Sequence, residues 1–234
     1  MDASKSFSFY EAAENEVNAM EWPRSFLNLS DPAAKFGVEY IKSRGLNPMN
    51  DMYYDSSRKG IVFPYYLENT FVGAQIRFIE PKIMEDGKPF KISTLPGTRL
   101  GYVFWGWSQN QLPSMVKYIV VTEGAFNAAA LQQALNSKFG NLLKNPYKCI
   151  ALSGSGVSGY QADKLKDLIS LGTKVIAAPD SDDAGIKMLD KLRKLEACTH
   201  YSLVDDGSKD WNDKIRDLGV EGLAGYFIKN LRKE

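Results

Sequence analysis

The sequence predicts an α/β fold in two parts. A small α+β N-terminal subdomain with an antiparallel hairpin is followed by a mainly parallel, Rossmann-like sheet. Three observations lead there. From Gly60 the apolar period is two, over GIVFPYY and FVGAQIRFIE, as in a half-buried hairpin. From KYIVVT onward short apolar runs alternate with helical ones, the pattern of a parallel sheet covered on both faces. Between the two, SQNQLPSM interrupts both periods and reads as a boundary. The expected division is an extension over 1–30, the α+β subdomain over 31–112 and the second domain, with C-terminal helices, over 113–234.

Residues 1–30 carry the weakest pattern. FYEAAENEVNAM suits a short helix ended before Trp22-Pro23, because the residue preceding a proline is pushed out of the helical region. DPAAKFGVEYIKSRGL is better punctuated, with Asp31 as N-cap, Pro32 at the first helical position and Gly45 just past the end. In the hairpin, Val72, Ala74, Ile76 and Phe78 share one face, which leaves Gln75 and Arg77 on the other. Pro64 suits an edge strand. MEDGKP is a loop, and PFKISTLPGTRLGYVFWG mixes extended and turn structure. The second half then reads KYIVVT strand, AFNAAALQQAL helix, KCIAL strand, YQADKLKDLISLG helix, TKVIAAP strand, DAGIKMLDKLRKL helix and HYSLV strand.

Composition narrows the function. The 234 residues are 44% apolar and 24% charged with a net charge of +1, so no global basic field announces a nucleic-acid partner. Residues 58–99 nevertheless hold seven Lys/Arg against four acids. Cys149 and Cys198 are the only cysteines and lie far apart, which excludes a disulfide framework and a cysteine zinc ribbon. MDASKSFSFYEAAENEV lacks the basic-then-apolar pattern of a secretory signal, and no window approaches 18 uninterrupted apolar residues. The expectation is a cytoplasmic protein without zinc and without a membrane partner.

The acids carry the chemistry. Glu123 ends the first parallel strand in VVTEG, Asp180 and Asp182 end the third in APDSD, and Asp210 and Asp213 follow the fourth in SKDWND. All fall at the carboxyl edge of the sheet, where ligands of such folds sit. Two carboxylates ~6 Å apart at an effective dielectric of ~20 repel by about 3 kcal/mol, so a cluster calls for a cation. Mg²⁺ takes one or two carboxylates and keeps several waters; Glu123, Asp180 and Asp182 suit one or two such ions. The competing reading is helix capping, Asp182 or Asp183 sitting before AGIKML. A second competitor is GSGVSG, a formal G-x-G-x-x-G between strand and helix, but a dinucleotide site leaves Glu123, Asp182 and KDWND without a role. His200, with no ligand-spaced partner, reads as structural. Trp211, beside the acids, is a candidate to shape the site.

These segments resemble a Toprim domain: VVTEGAFNAAAL with Glu123-Gly124, PDSDDAG with its D-x-D-x-A-G pattern, and SKDWNDKI. The upstream half resembles DnaG-type primases, through KGIVFPYYLENTFVGAQIRFI, FKISTLPGT and the helix DPAAKFGVEYIKSRGL. The resemblance spans about residues 30–234 and is closest in flavour to tailed-phage primases. It implies a catalytic core that makes short RNA primers on single-stranded DNA from ribonucleoside triphosphates, with two Mg²⁺ or Mn²⁺ ions stabilising attacking and leaving oxygens. Glu123, Asp180 and Asp182 would be catalytic and metal-binding, with Asp210 a further ligand. Arg77, Lys91 and Lys59 would contact template or nucleotide, against the plainer reading of Arg77 and Lys91 as solvated charges. Asn127, where the family carries aspartate in E-G-x-x-D, would shape the site with Asn212 and Asp213. Aromatic residues around 63–66 read mainly as core. The implied partners are a replicative helicase and, since the zinc ribbon is missing, a separate zinc-ribbon polypeptide. Two alternatives remain open: a Toprim nuclease, and a weakened binding or regulatory module. A topoisomerase needs more chain than this.

Overall fold

In the computed structural model, which describes residues 17–67, 69–107, 116–139, 146–154, 156–205 and 207–234, the period-two stretches form an antiparallel sheet. Its strands are β1 (Phe26–Asn28), β2 (Tyr53–Asp55), β3 (Gly60–Leu67), β4 (Thr70–Ile83) and β5 (Pro89–Thr94), side by side in chain order. The boundary at SQNQLPSM and most of the helix expected in FYEAAENEVNAM lie outside the described residues; Val17 to Met20 at its end are not helical. β1 belongs to the sheet although it falls within the stretch expected as an extension.

Strand β3 is internal only as far as Val62, where its pairing with β2 stops. At Pro64 only β4 lies alongside it, so the proline sits where the outer side of β3 is already free of a partner. Asp31 accepts a hydrogen bond from the Ala33 amide at 2.8 Å and opens a 3-10 turn over Pro32–Ala34 that leads into α1 (Lys35–Ser43). Gly45, at φ +75°, ends it in the left-handed conformation that glycine tolerates.

The second sheet runs β10-β9-β8-β6-β7. β6 (Tyr118–Thr122), β7 (Tyr147–Ala151), β8 (Lys174–Ala177) and β9 (His200–Tyr201) are parallel, while β10 (Arg232–Lys233) returns antiparallel to β9. The strand expected over HYSLV is thus only two residues long. Between the strands lie α2 (Ala125–Phe139), α3 (Gly159–Ser170) and α4 (Asp183–Lys194), and α5 (Trp211–Lys229) follows β9. α5 is two helical runs meeting at Gly219, whose φ is +68° and ψ 178°.

Strand β6 lies between β7 and β8, so the chain leaves it first to one side and then to the other. That is the topological switch point, where a crevice opens beyond the strand ends. The first two turns of α2 are enclosed by protein, and Ala128, Ala129, Ala130, Leu131, Ala134 and Leu135 are fully buried, while Gln132, Gln133 and Asn136 to Lys138 form its outer side. It shares one core with Phe63 and Tyr65 of the first sheet and with Trp105, Trp211 and Phe227. A second core, including Val121, Ile150, Leu165 and Leu189, fills the other face under α3 and α4. No helix among the described residues is long and apolar enough to cross a membrane.

Candidate active site

The switch-point crevice is a cleft of about 240 Å³ whose lining includes Arg44, Gln75, Arg77, Glu123, Asp180 and Asp210. Glu123 follows β6 directly, and the turn through Gly124 starts α2: the Gly124 carbonyl accepts from the amides of Asn127 and Ala128. Glu123 Oε1 accepts from the Asp180 backbone amide at 3.2 Å, which joins the ends of β6 and β8. Asn127 then links three segments. Its Nδ2 donates to Asp180 Oδ1 at 2.5 Å, and its Oδ1 accepts from the Asn212 amide at 3.0 Å.

Trp211 is fully buried and donates from Nε1 to the carbonyls of Ala178 and Pro179 at 3.1 and 3.2 Å. It therefore fixes the backbone that presents Asp180. Asn212, also buried, donates from Nδ2 to the Arg44 carbonyl at 2.9 Å and so ties the end of α1 to the site. Gly185 allows close approach: a Cβ there would stand 2.2 Å from the Asp180 carbonyl oxygen.

Two of the three remaining acids act as caps. Asp182 Oδ1 accepts from the amides of Ala184 and Gly185, both at 3.0 Å, at the N-terminus of α4. Asp210 accepts from the Asp213 amide at 2.7 Å at the N-terminus of α5. Capping and site membership coexist at Asp210, which lines the cleft. Asp182 is exposed at its rim. Asp213 turns away to pair with Arg216.

Electrostatics mark Asp180. Its pKa is pushed up to about 8, by burial first and then by the carboxylates of Glu123, Asp210 and Asp182, with the Lys209 charge pulling the other way. Glu123 is also raised, chiefly by burial, with Asp182 and Asp210 adding and the Asp180 amide opposing. Repulsion among desolvated carboxylates is what a bound cation relieves. Among the described residues no three His, Cys, Asp or Glu side chains stand close enough to form a cage by themselves. Mg²⁺ does not require one, since it keeps waters and takes one or two carboxylates. The all-oxygen donors at Glu123, Asp180 and Asp210 fit Mg²⁺ or Mn²⁺.

On the basic side the structure separates the candidates. Arg77 lines the cleft, and its Nε is sealed from solvent without a hydrogen-bond partner. Lys91 is exposed; because Arg77 pairs with Ile92 across β4 and β5, the neighbouring Lys91 projects from the opposite face. Lys59 lines a different groove, with Arg58 and Phe36. Arg44 was missed by sequence reasoning. It too lines the cleft with a sealed, unpartnered Nε, and its guanidinium lies 4.7 Å over the Phe126 ring. In the sequence it reads only as a cation at a helix C-terminus.

Gly154, the first residue of GSGVSG, and Ser153 just before it line the same cleft. Ser153 is left-handed at φ +69°. It is held by Tyr65, whose hydroxyl bonds its Oγ, and by Gln75 Nε2, which donates to its carbonyl at 3.1 Å. The Gly154 amide donates to the Glu123 carbonyl at 3.1 Å. Asp180, which a dinucleotide site would place on a ribose, is instead engaged with Asn127. His200 lies beside Thr199, with Nδ1 2.9 Å from its Oγ1, remote from the cleft lining.

Residues 120–215 match the Toprim-like family model, so this segment is a Toprim-like domain. Over most of its length the chain has the fold of primase catalytic cores. It superposes on the DnaG catalytic core with a TM-score of 0.60 at 18% identity, covering 88% of this chain and 76% of that one. A DnaG primase catalytic domain bound to single-stranded DNA gives 0.57 at 16%, covering 97% and 83%. The primase fragment of the bacteriophage T7 primase-helicase gives 0.50 at 15%, covering 93% and 85%. At these identities the likeness is one of fold. No curated protein matches the sequence.

Proposed function

We propose that this chain is the polymerase core of a DNA primase, joining ribonucleoside triphosphates into short RNA primers on single-stranded DNA in the cytoplasm of a bacterial cell, as part of viral replication. The observation that carries the reading is the convergence of Glu123, Asp180 and Asp210 opposite Arg44 and Arg77 in one cleft. Mg²⁺ ions bound there supply charge neutralisation of the triphosphate and of the attacking oxygen. Glu123 and Asp180 hold the metal, with Asp210 and the rim residue Asp182 adding negative charge. Asn127 orients Asp180 by donating to it. Arg77 and Arg44, which both line the cleft, take phosphate oxygens of nucleotide or template through the guanidinium groups they present to it. Lys59 and Lys91, on other faces, contribute at most to the outlying path of the strand. A replicative helicase and a separate zinc-ribbon polypeptide are the partners this reading calls for.

The test is synthesis of dinucleotides from labelled ribonucleotides, single-stranded DNA and Mg²⁺. Wild type forms product, and Asp180→Ala, its fold verified by circular dichroism, forms none. Product at the wild-type rate from Asp180→Ala sinks the proposal. So does cutting of labelled DNA by wild type without nucleotides, in the absence of any primer product.

A further inference from the structure

A second cleft, of about 230 Å³, is lined by Asp51, Tyr53, Tyr66, Trp105, Trp107 and Lys148 among others. Phe63 lines the catalytic cleft and Pro64 this one, so consecutive side chains of β3 serve opposite faces. Taking ~30 Å³ per water, it holds about eight waters, room for one planar ring system.

Its chemistry is specific. Asp51 has one carboxylate oxygen, Oδ1, sealed from solvent without any hydrogen-bond partner. Burial raises its pKa and the Lys148 charge lowers it. A desolvated carboxyl short of donors is costly; Asp51 is only partly buried and lines the cleft, so a ligand N–H meets it at the other oxygen, Oδ2, and lowers that cost. Tyr53, Tyr66 and Trp107 are partly exposed on the cleft walls and favour a flat π-face. Lys148 disfavours a cationic guest such as an arginine side chain and asks for an acceptor. A planar, uncharged ring with N–H donors on one edge and a carbonyl beside them meets all three demands. Guanine has that edge: N1–H and N2–H₂ toward Asp51, and O6 toward Lys148.

We propose that this cleft is a guanine-base pocket, distinct from the catalytic cleft. The base comes from a free guanine nucleotide or from an unstacked guanine of a single strand. Binding here needs neither metal nor turnover, so it stands apart from the polymerase reading.

The experiment uses the full chain in EDTA and follows tryptophan fluorescence, since Trp105 and Trp107 line the pocket. Guanosine monophosphate is expected to give a saturable change. Adenosine monophosphate, which turns the N1 acceptor toward Asp51, binds at least tenfold more weakly. An oligo-dT carrying one dG is compared with plain oligo-dT: a gain for the dG strand alone assigns the base to nucleic acid, and saturation by the monophosphate assigns it to free nucleotide. Asp51→Asn weakens the guanine ligand at least tenfold and favours xanthosine monophosphate, whose C2 carbonyl accepts from the new amide. Lys148→Ala, a second variant away from the sealed oxygen, weakens it similarly, and Asp180→Asn leaves it unchanged. Equal binding of guanine and adenine ligands overturns the proposal, as do unaltered binding by both pocket variants or no binding of either guanine source.

Discussion

The side-chain amide of Asn127 lies 2.5 Å from Asp180 Oδ1 and acts as its donor, while its oxygen accepts from the Asn212 amide. The family pattern carries aspartate at this position. Here the amide stabilises ionised Asp180 without adding a further charge to a site that already holds Glu123 and Asp210. Asn127→Asp sets two carboxylates in contact, a repulsion of about 4 kcal/mol at ~4 Å and an effective dielectric of ~20. The expected outcome is a lower melting temperature than wild type in EDTA at pH 8 and a larger gain on adding Mg²⁺. Equal Mg²⁺ gains in the two proteins, measured by scanning calorimetry, contradict this account of Asn127.

Asp180 makes the metal-free protein sensitive to pH in a fixed direction. Its folded pKa of about 8 lies above the ordinary carboxyl value of ~3.9. Between these values the folded state keeps a proton that the unfolded state has lost, so stability falls as pH rises from about 4 to about 8. Melting temperature in EDTA is expected to decline across that range. Asp180→Asn flattens the decline, and Mg²⁺ restores more stability at pH 8 than at pH 5 because metal and proton compete. A decline of the same slope in Asp180→Asn assigns it to other groups.

Tyr65, Gln75 and Ser153 tie the first sheet to the turn beside Glu123. Tyr65 is buried, and burial raises its hydroxyl pKa far above the ordinary tyrosine value, so it remains a neutral donor. It bonds both Ser153 Oγ and Gln75 Oε1 and holds Ser153 in a left-handed conformation that costs of order 1–3 kcal/mol. Gln75→Ala releases the Ser153 carbonyl. Expected is a drop of about tenfold in the rate of dinucleotide synthesis with Mg²⁺ affinity within twofold of wild type. The kinetic assay paired with calorimetric titration reads both. A wild-type rate shows that the turn holds without the clamp.

Some of this architecture is legible from residues and some is not, for physical reasons. The alternation of strands and helices after Tyr118 shows because β6, β7 and β8 and the helices between them are long enough to display their periods, and the order of the acids along the chain already puts them at one sheet edge. β1 and β2, three residues each, display no period at all. The separation of Arg77 from Lys91 depends on the pairing of Arg77 with Ile92, which forms only when strands distant in sequence meet. Arg44 reaches the cleft because the turn after α1 meets the first turns of α5, through Asn212 on the Arg44 carbonyl and Arg216 beside Gly45, a contact with no local signature. Asp182 satisfies both the capping and the acidic-cluster patterns, and only geometry assigns its Oδ1 to the cap.

Gly185 gives the sharpest structural test of the site. It sits in the first turn of α4, and a methyl group there would meet the Asp180 carbonyl oxygen at 2.2 Å and the Asp180 amide nitrogen at 2.8 Å. Backbone, unlike a flexible side-chain tip, has little room to yield. Either α4 moves away and carries the Asp182 cap with it, or the Asp180 segment moves and its amide bond to Glu123 is strained. Overpacking of this kind costs typically 1–3 kcal/mol, and at this chain length each kcal/mol lowers the melting temperature by roughly 2–4 °C. Gly185→Ala is therefore expected to melt about 2–12 °C below wild type and to lose most of its Mg²⁺-dependent stabilisation. The control is Gly172→Ala, where the left-handed φ of +90° imposes strain but nothing lies within 4 Å of the new methyl. It is expected to lower stability while keeping the Mg²⁺ response. A Gly185→Ala protein with an intact Mg²⁺ response would show that the spacing between α4 and Asp180 does not set the metal site.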